Sequence, residues 1–126
     1  MHVYPVEVFA IDTDYGGIVH HASYLRFFEQ GRTQWLQQKD PDYTTKYPEN
    51  SVFLVVQKTT ISYSHPGRLH DQLEVLTQAE RGRPMILAFV QKIRHKTTQK
   101  TLVEATFDMV CVNKNMIPTR LPQQWR

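Results

Sequence analysis

The sequence predicts one α+β domain in which a single amphipathic helix lies against an antiparallel sheet. Three observations predict it. Only one segment, Ser23 to Gln38, carries an apolar stripe at helical spacing. One strand-like stretch precedes it and four follow it. Turn-rich segments separate the later stretches, and strands joined by short turns run antiparallel. A lone helix buries its stripe only if the sheet curves around it.

Each element has its own warrant. The first strand is predicted from Val3 to Ala10, where Val6, Val8 and Ala10 alternate with Glu7 and Phe9 and Pro5 suits a strand start or an edge. Asp12-Thr13-Asp14-Tyr15-Gly16-Gly17 is a turn-rich loop. Ser23 is a candidate helix N-cap. Tyr24, Phe28, Gly31 and Trp35 then share one helical face, which Leu25 and Leu36 widen. A mid-helix glycine costs about 1 kcal/mol against alanine, so Gly31 is expected where the helix packs closely on something flat. From Ser23 to Gln38 the helix is about 24 Å long, and Asp40-Pro41-Asp42 ends it. A polar connection runs from about Tyr43 to Asn50.

Val52 to Tyr63 is the second strand. Leu73, Val75 and Thr77 mark the third, Met85 to Arg94 the fourth, and the alternating Val103, Ala105, Phe107, Met109 and Cys111 the fifth. Ser64-His65-Pro66-Gly67, Arg81-Gly82-Arg83-Pro84 and the run from Lys96 to Lys100 are the turns between them. Leu121 and Trp125 in the tail are placed to dock on the core. Long strands with open edges invite pairing across a symmetry axis, so a dimer is expected.

Composition bounds the function. The 126 residues make one domain, 1–126, large enough for a real core. Hydrophobic residues at 40% and charged residues at 21% exclude a disordered chain. The one cysteine, Cys111, excludes an internal disulfide and fits the cytoplasm; on the apolar side of its strand it reads as a small core residue. Fifteen Lys+Arg against twelve Asp+Glu give a net charge of +3 with the basic residues scattered, which argues against nucleic acid and allows an anionic small molecule. No run approaches the roughly 20 apolar residues of a membrane helix, and the N-terminus has no signal-peptide pattern.

Chemistry concentrates between Asp12 and Tyr24. Two carboxylates, two glycines and two histidines stand directly before a helix N-terminus, whose unpaired N–H groups carry partial positive charge. Such a place can hold an oxyanion or a thioester carbonyl beside a carboxylate. Rival readings are weighed against it. Asp12 and Asp14 can be solvated turn residues. A calcium loop fails because Gly16 and Ser23 stand where ligands are required. The adjacent His20 and His21 lack a metal-binding helical spacing.

Asp12 to Arg32, DTDYGGIVHHASYLRFFEQGR, resembles the hot-dog-fold acyl-CoA thioesterases of the 4-hydroxybenzoyl-CoA thioesterase family, and within it the subgroup named after the bacterial Tol–Pal-associated thioesterase. Val8, Thr13, Asp14, Gly17, Ile18, Val19, His21 and Tyr24 stand where the family signature requires them. The chain departs at the first signature position, where Glu7 replaces Gln or Arg on the first strand, away from the loop. The similarity continues through Phe28-Glu29, Arg32-Thr33, Val52 to Tyr63, Pro66 to Leu69, Arg81-Gly82 and Val110-Cys111-Val112.

The resemblance implies a hot-dog fold, an antiparallel sheet curved around one long central helix. It also implies a homodimer, often paired into a homotetramer, with active sites at the subunit interface. The substrate implied is acyl-CoA, hydrolysed to free acid and CoA without a cofactor or metal. Asp14 falls on the catalytic aspartate, which acts as nucleophile or as general base on water. The backbone N–H of His21 matches the group that polarises the thioester carbonyl, Gly17 keeps the loop close to substrate, and Asp12 shapes the loop. Arg81 and Arg83 align with a basic cluster that meets the CoA nucleotide, against the plain reading of a solvated turn. Arg32 and Arg68 have weaker claims, and Arg32 reads as a structural ion-pair partner. Two alternatives stand beside hydrolysis. One is a non-catalytic acyl-thioester or protein-binding module, against which the complete Asp14-x-x-Gly17 motif argues. The other is a hot-dog hydratase, whose His-then-Pro-Gly motif Ser64-His65-Pro66-Gly67 matches only superficially.

Overall fold

The computed structural model describes residues 1–43 and 52–126. The connection expected from about Tyr43 to Asn50 lies, beyond Tyr43, outside the described residues. Strands β1 (His2–Glu7), β2 (Phe53–Tyr63), β3 (Gln72–Glu80), β4 (Ile86–His95) and β5 (Thr101–Val112) form one antiparallel sheet in the order β1-β3-β4-β5-β2. Helix α1 (Ser23–Lys39) packs mainly across β1, β3 and β4. This is the expected α+β arrangement.

The alternation puts Leu73, Val75 and Thr77 of β3, Leu87, Phe89 and Ile93 of β4, and Val103, Phe107 and Cys111 of β5 in the core. Tyr24, Phe28, Gly31 and Trp35 of α1 are buried against them, as the helical stripe predicts. Gly31 is where the helix touches the sheet. A Cβ built there stands 2.7 Å from Val75 Cγ1, 3.0 Å from Thr77 Oγ1 and 3.2 Å from Gln91 Nε2. The tail docks as expected: Leu121 and Trp125 are buried, and the Trp125 indole N–H donates to Asp40 Oδ2 at 3.1 Å.

Four expectations are corrected. The first strand stops at Glu7, because Asp12 Oδ2 accepts the Phe9 N–H at 2.9 Å and winds Ala10–Asp12 into a 3₁₀ turn. The helix N-cap is Ala22, without a side-chain cap, and Ser23 is the first helical residue. Leu25 is exposed, and Phe27 takes the buried place beside the stripe. β2 pairs with β5 and not with β3. The reason is that residues 64–71 are no tight turn; they cross the end of the sheet. Ser64 N–H donates to Leu102 O at 2.8 Å, Leu69 N–H to Gly17 O at 3.1 Å, and His70 N–H to Val8 O at 2.9 Å.

This topology gives the sheet two distinct ends. Glu7, Tyr63, Gln72, His95 and Thr101 lie at one, beside the Asp12–His21 loop. Phe53, Glu80, Ile86 and Val112 lie at the other, beside the docked tail. β2 is an open edge that leaves Phe53, Val55, Val56 and Tyr63 exposed.

Candidate active site

The loop before α1 is a small closed hairpin. Thr13 bridges Val19, Asp14 N–H donates to Ile18 O at 3.0 Å, and Gly17 N–H returns to Asp14 O at 3.1 Å. Gly17 has φ +77 with nothing within 4 Å of a built Cβ, so backbone conformation and not space requires glycine there. The crossover after β2 holds the hairpin from below through Val19 N–H to Gly67 O at 2.8 Å and an Ile18–Arg68 bridge.

The two carboxylates of the loop are used differently. Asp12 is buried, paired with Arg26, and accepts the Phe9 N–H; its carbonyl accepts the His20 N–H at 2.9 Å. It shapes the loop. Asp14 is exposed. Its Oδ1 accepts the Gly16 N–H at 2.9 Å, which fixes the side chain over the turn and leaves Oδ2 without a protein partner among the described residues.

His21 follows at the helix entry. Ser23 N–H donates to His20 O at 2.8 Å and Ala22 N–H to His20 Nδ1 at 3.1 Å, while the His21 N–H has no acceptor among the described residues. A free donor at a helix N-terminus, where the dipole is positive, suits a carbonyl oxygen gaining negative charge. His21 also lines a hollow of about 270 Å³ with Ile18, Tyr24, Tyr63 and His65. The Tyr63 hydroxyl reaches His21 O at 3.4 Å, and Gly67 N–H donates to Tyr24 Oη at 2.8 Å. Burial raises the Tyr24 phenol above its usual pKa, so it stays protonated at neutral pH.

Arg81 and Arg83 are elsewhere. They sit in the β3–β4 turn at the opposite end of the sheet, and β3 alone, at about 3.3 Å per residue, separates the ends by about 26 Å. Within one chain the structure therefore does not bring Asp14 and these arginines together. It does bring Arg120 and Arg126 to them: all four line a hollow of about 240 Å³, closed where Leu121 N–H donates to Pro84 O at 2.9 Å. Sequence reasoning missed the two tail arginines. The signal available was that they flank the docking pair Leu121 and Trp125. Arg32 makes no ion pair among the described residues, contrary to expectation; it donates to Gln91 and stacks on Phe107. No cluster of three metal-ligating side chains occurs among the described residues.

One long helix packed against a five-stranded antiparallel sheet is the hot-dog fold of many thioesterases. Comparison with known proteins agrees. The sequence model of the thioesterase-like superfamily matches residues 8–124. The chain is 39% identical over 122 residues to the acyl-CoA thioester hydrolase YbgC of Escherichia coli, covering 95% of this chain and 89% of that protein. The crystal structure of a probable thioesterase from Bartonella henselae superposes with TM-score 0.86 at 30% identity, covering 97% of this chain and 98% of that one. A 1,4-dihydroxy-2-naphthoyl-CoA thioesterase from Synechocystis, at 20% identity and TM-score 0.89 over 98% of this chain and 91% of that one, shares the fold. The chain belongs to the thioesterase-like superfamily and is a thioester hydrolase.

Proposed function

We propose that the protein hydrolyses acyl-CoA to free acid and CoA, with Asp14 acting on the thioester carbonyl as nucleophile or through a water that it deprotonates. The observation that carries this reading is the free His21 N–H at the helix entry, next to a loop that holds Asp14 in a fixed turn. The thioester carbonyl accepts from the His21 N–H, and charge developing on its oxygen meets a prepaid dipole. Gly17 lets the acyl-thioester approach the hairpin backbone. The Asp14 carboxylate then either forms an anhydride and releases the CoA thiolate, or takes a proton from the attacking water.

The same reading includes a homodimer through β2, which the open apolar edge of that strand supports. Antiparallel pairing of two identical edge strands about a two-fold axis exchanges their ends. The loop end of one protomer then meets the tail end of its partner. That places Asp14 and the basic turn of Arg81 and Arg83 on one interfacial site, with Arg120 and Arg126 beside them to meet the CoA phosphates. Further pairing into a tetramer is compatible with it.

The test is Asp14→Asn, which keeps the side-chain shape and removes the charge. Hydrolysis of acyl-CoA is expected to fall about 10²- to 10⁴-fold in kcat, with melting temperature and KM nearly unchanged. Single turnover in heavy-oxygen water tests the role: label entering the Asp14 carboxylate marks a nucleophile, whereas label only in the product acid fits either a base or an anhydride opened by water at its acyl carbon. Near-normal turnover by Asp14→Asn overturns the reading.

A further inference from the structure

Arg32 makes no ion pair among the described residues, and the exposed Glu29 carboxylate acts on it only at a distance. Arg32 lies half-buried on α1, with its guanidinium carbon 4.1 Å from the Phe107 ring centroid. Its Nη1 donates to Gln91 Oε1 at 3.1 Å, and the Gln91 amide is in turn anchored on Phe28 O at 3.0 Å and Thr77 Oγ1 at 2.8 Å. That is one acceptor for a group with five N–H donors in a fixed fork. Burial lowers its pKa to about 10, which still leaves it charged at neutral pH. A desolvated, unpaired charge is costly, so the place calls for an acceptor that the described residues do not supply.

Arg32 lines a hollow of about 410 Å³ between α1 and the inner side of β2, where Leu36, Phe53, Leu54, Val56 and Phe89 form apolar walls. The hollow lies nine residues, about 14 Å, along the helix from its entry at Ser23. Glu29 also lines it, but Glu29 is exposed, and its screened charge weighs less than a guanidinium in direct contact.

We propose that this hollow receives the acyl group and that Arg32 selects acyl groups ending in a carboxylate, the monothioesters of dicarboxylic acids, over plain alkyl groups of the same length. The inference rests on the acyl-thioester reading above. The apolar walls sheathe the methylene spacer, and the fork takes the carboxylate in a charge-assisted, bidentate contact that no alkyl end can return. The Phe107 ring and Gln91 hold the fork in place before the substrate arrives, which reduces the ordering cost of binding.

The experiment compares kcat/KM for an ω-carboxyacyl-CoA and the alkanoyl-CoA of equal chain length. The native protein is expected to prefer the carboxyacyl substrate at least about tenfold. Arg32→Met keeps the stem that packs on Phe107 and is expected to lower that preference by about 10- to 100-fold, through the carboxyacyl substrate alone. Arg32→Lys, which keeps charge without the fork, should retain part of it, and it carries the test with the native pair if Arg32→Met folds poorly. No preference in the native protein, or an equal fall on both substrates, overturns the proposal and returns Arg32 to packing. If the native protein cleaves neither substrate, the acyl-CoA reading itself has failed and this inference falls with it.

Discussion

Asp12 and Asp14 stand two residues apart and have opposite physical circumstances. Asp12 is buried beside Arg26, so its charge is consumed by structure. Asp14 keeps one oxygen open. The sequence motif distinguished their roles only through its resemblance; the hydrogen bonds now give the reason. Arg81 and Arg83 present the harder case at this scale. Arg83 has one long contact to Asp108, 3.8 Å, and both side chains are in an exposed turn. Exposed pairs of that kind contribute between about 0 and 1 kcal/mol, so structure gives little reason to keep these residues. If they bind phosphate, Arg81→Ala with Arg83→Ala raises KM for acyl-CoA and leaves kcat unchanged, because the contact is made equally in ground and transition states. A truncated thioester lacking the nucleotide should be cleaved as before. Affinity for acyl-CoA should also fall with salt, since exposed charges are screened over about 10 Å at 0.1 M. Equal losses on both substrates would instead mark a defect in folding or assembly.

At the scale of elements, α1 shows what the sequence could reveal. Its stripe repeats every three to four residues, and burial of Tyr24, Phe28, Gly31 and Trp35 follows from that spacing. The N-cap and the end of β1 were not legible in the same way. Both depend on contacts made by the Asp12 carboxylate and the His20 backbone, which local propensity does not encode. The pairing of β2 with β5 was hidden for a similar reason: the segment containing Pro66 and Gly67 reads as a turn but crosses the sheet end to hold the hairpin of Thr13 to Val19. Gly31 offers a measurable consequence. Alanine is the better helix former by about 1 kcal/mol, so propensity alone predicts that Gly31→Ala stabilises. Packing predicts the reverse, because the new methyl stands 2.7 Å from Val75 Cγ1, and Val75 is fully buried on a central strand with nowhere to move. Overpacking of this kind costs about 1–3 kcal/mol. We expect packing to win, with a net loss near 1 kcal/mol and a fall in Tm of about 4 °C, read by thermal melting.

The whole molecule raises the question of why an eleven-residue edge strand is left open. β2 exposes Phe53, Val55, Val56 and Tyr63, and a long apolar edge is a template for another chain unless something covers it. At about 3.3 Å per residue the strand offers about 33 Å of pairing length. In the proposed homodimer a second copy would use that length, and two-fold pairing would set the Asp14 loop of one copy toward the four-arginine hollow of the other. Activity and assembly should therefore fail together. Val55→Asp places a charge on the open edge at a position 36% exposed in the single chain and outside the Arg32 hollow, so it should leave the protomer folded while setting a charge from each copy into the apolar pairing edge. Sedimentation should show the native protein as a dimer or a multiple of one, and Val55→Asp shifted toward monomer. Hydrolysis by the variant should then rise with protein concentration faster than in proportion, because only the associated fraction carries a complete site. A native protein that sediments as a monomer at full specific activity would mean that one chain suffices. The arginine hollow, about 26 Å from the loop along β3, would then have no part in binding substrate at the Asp14 loop.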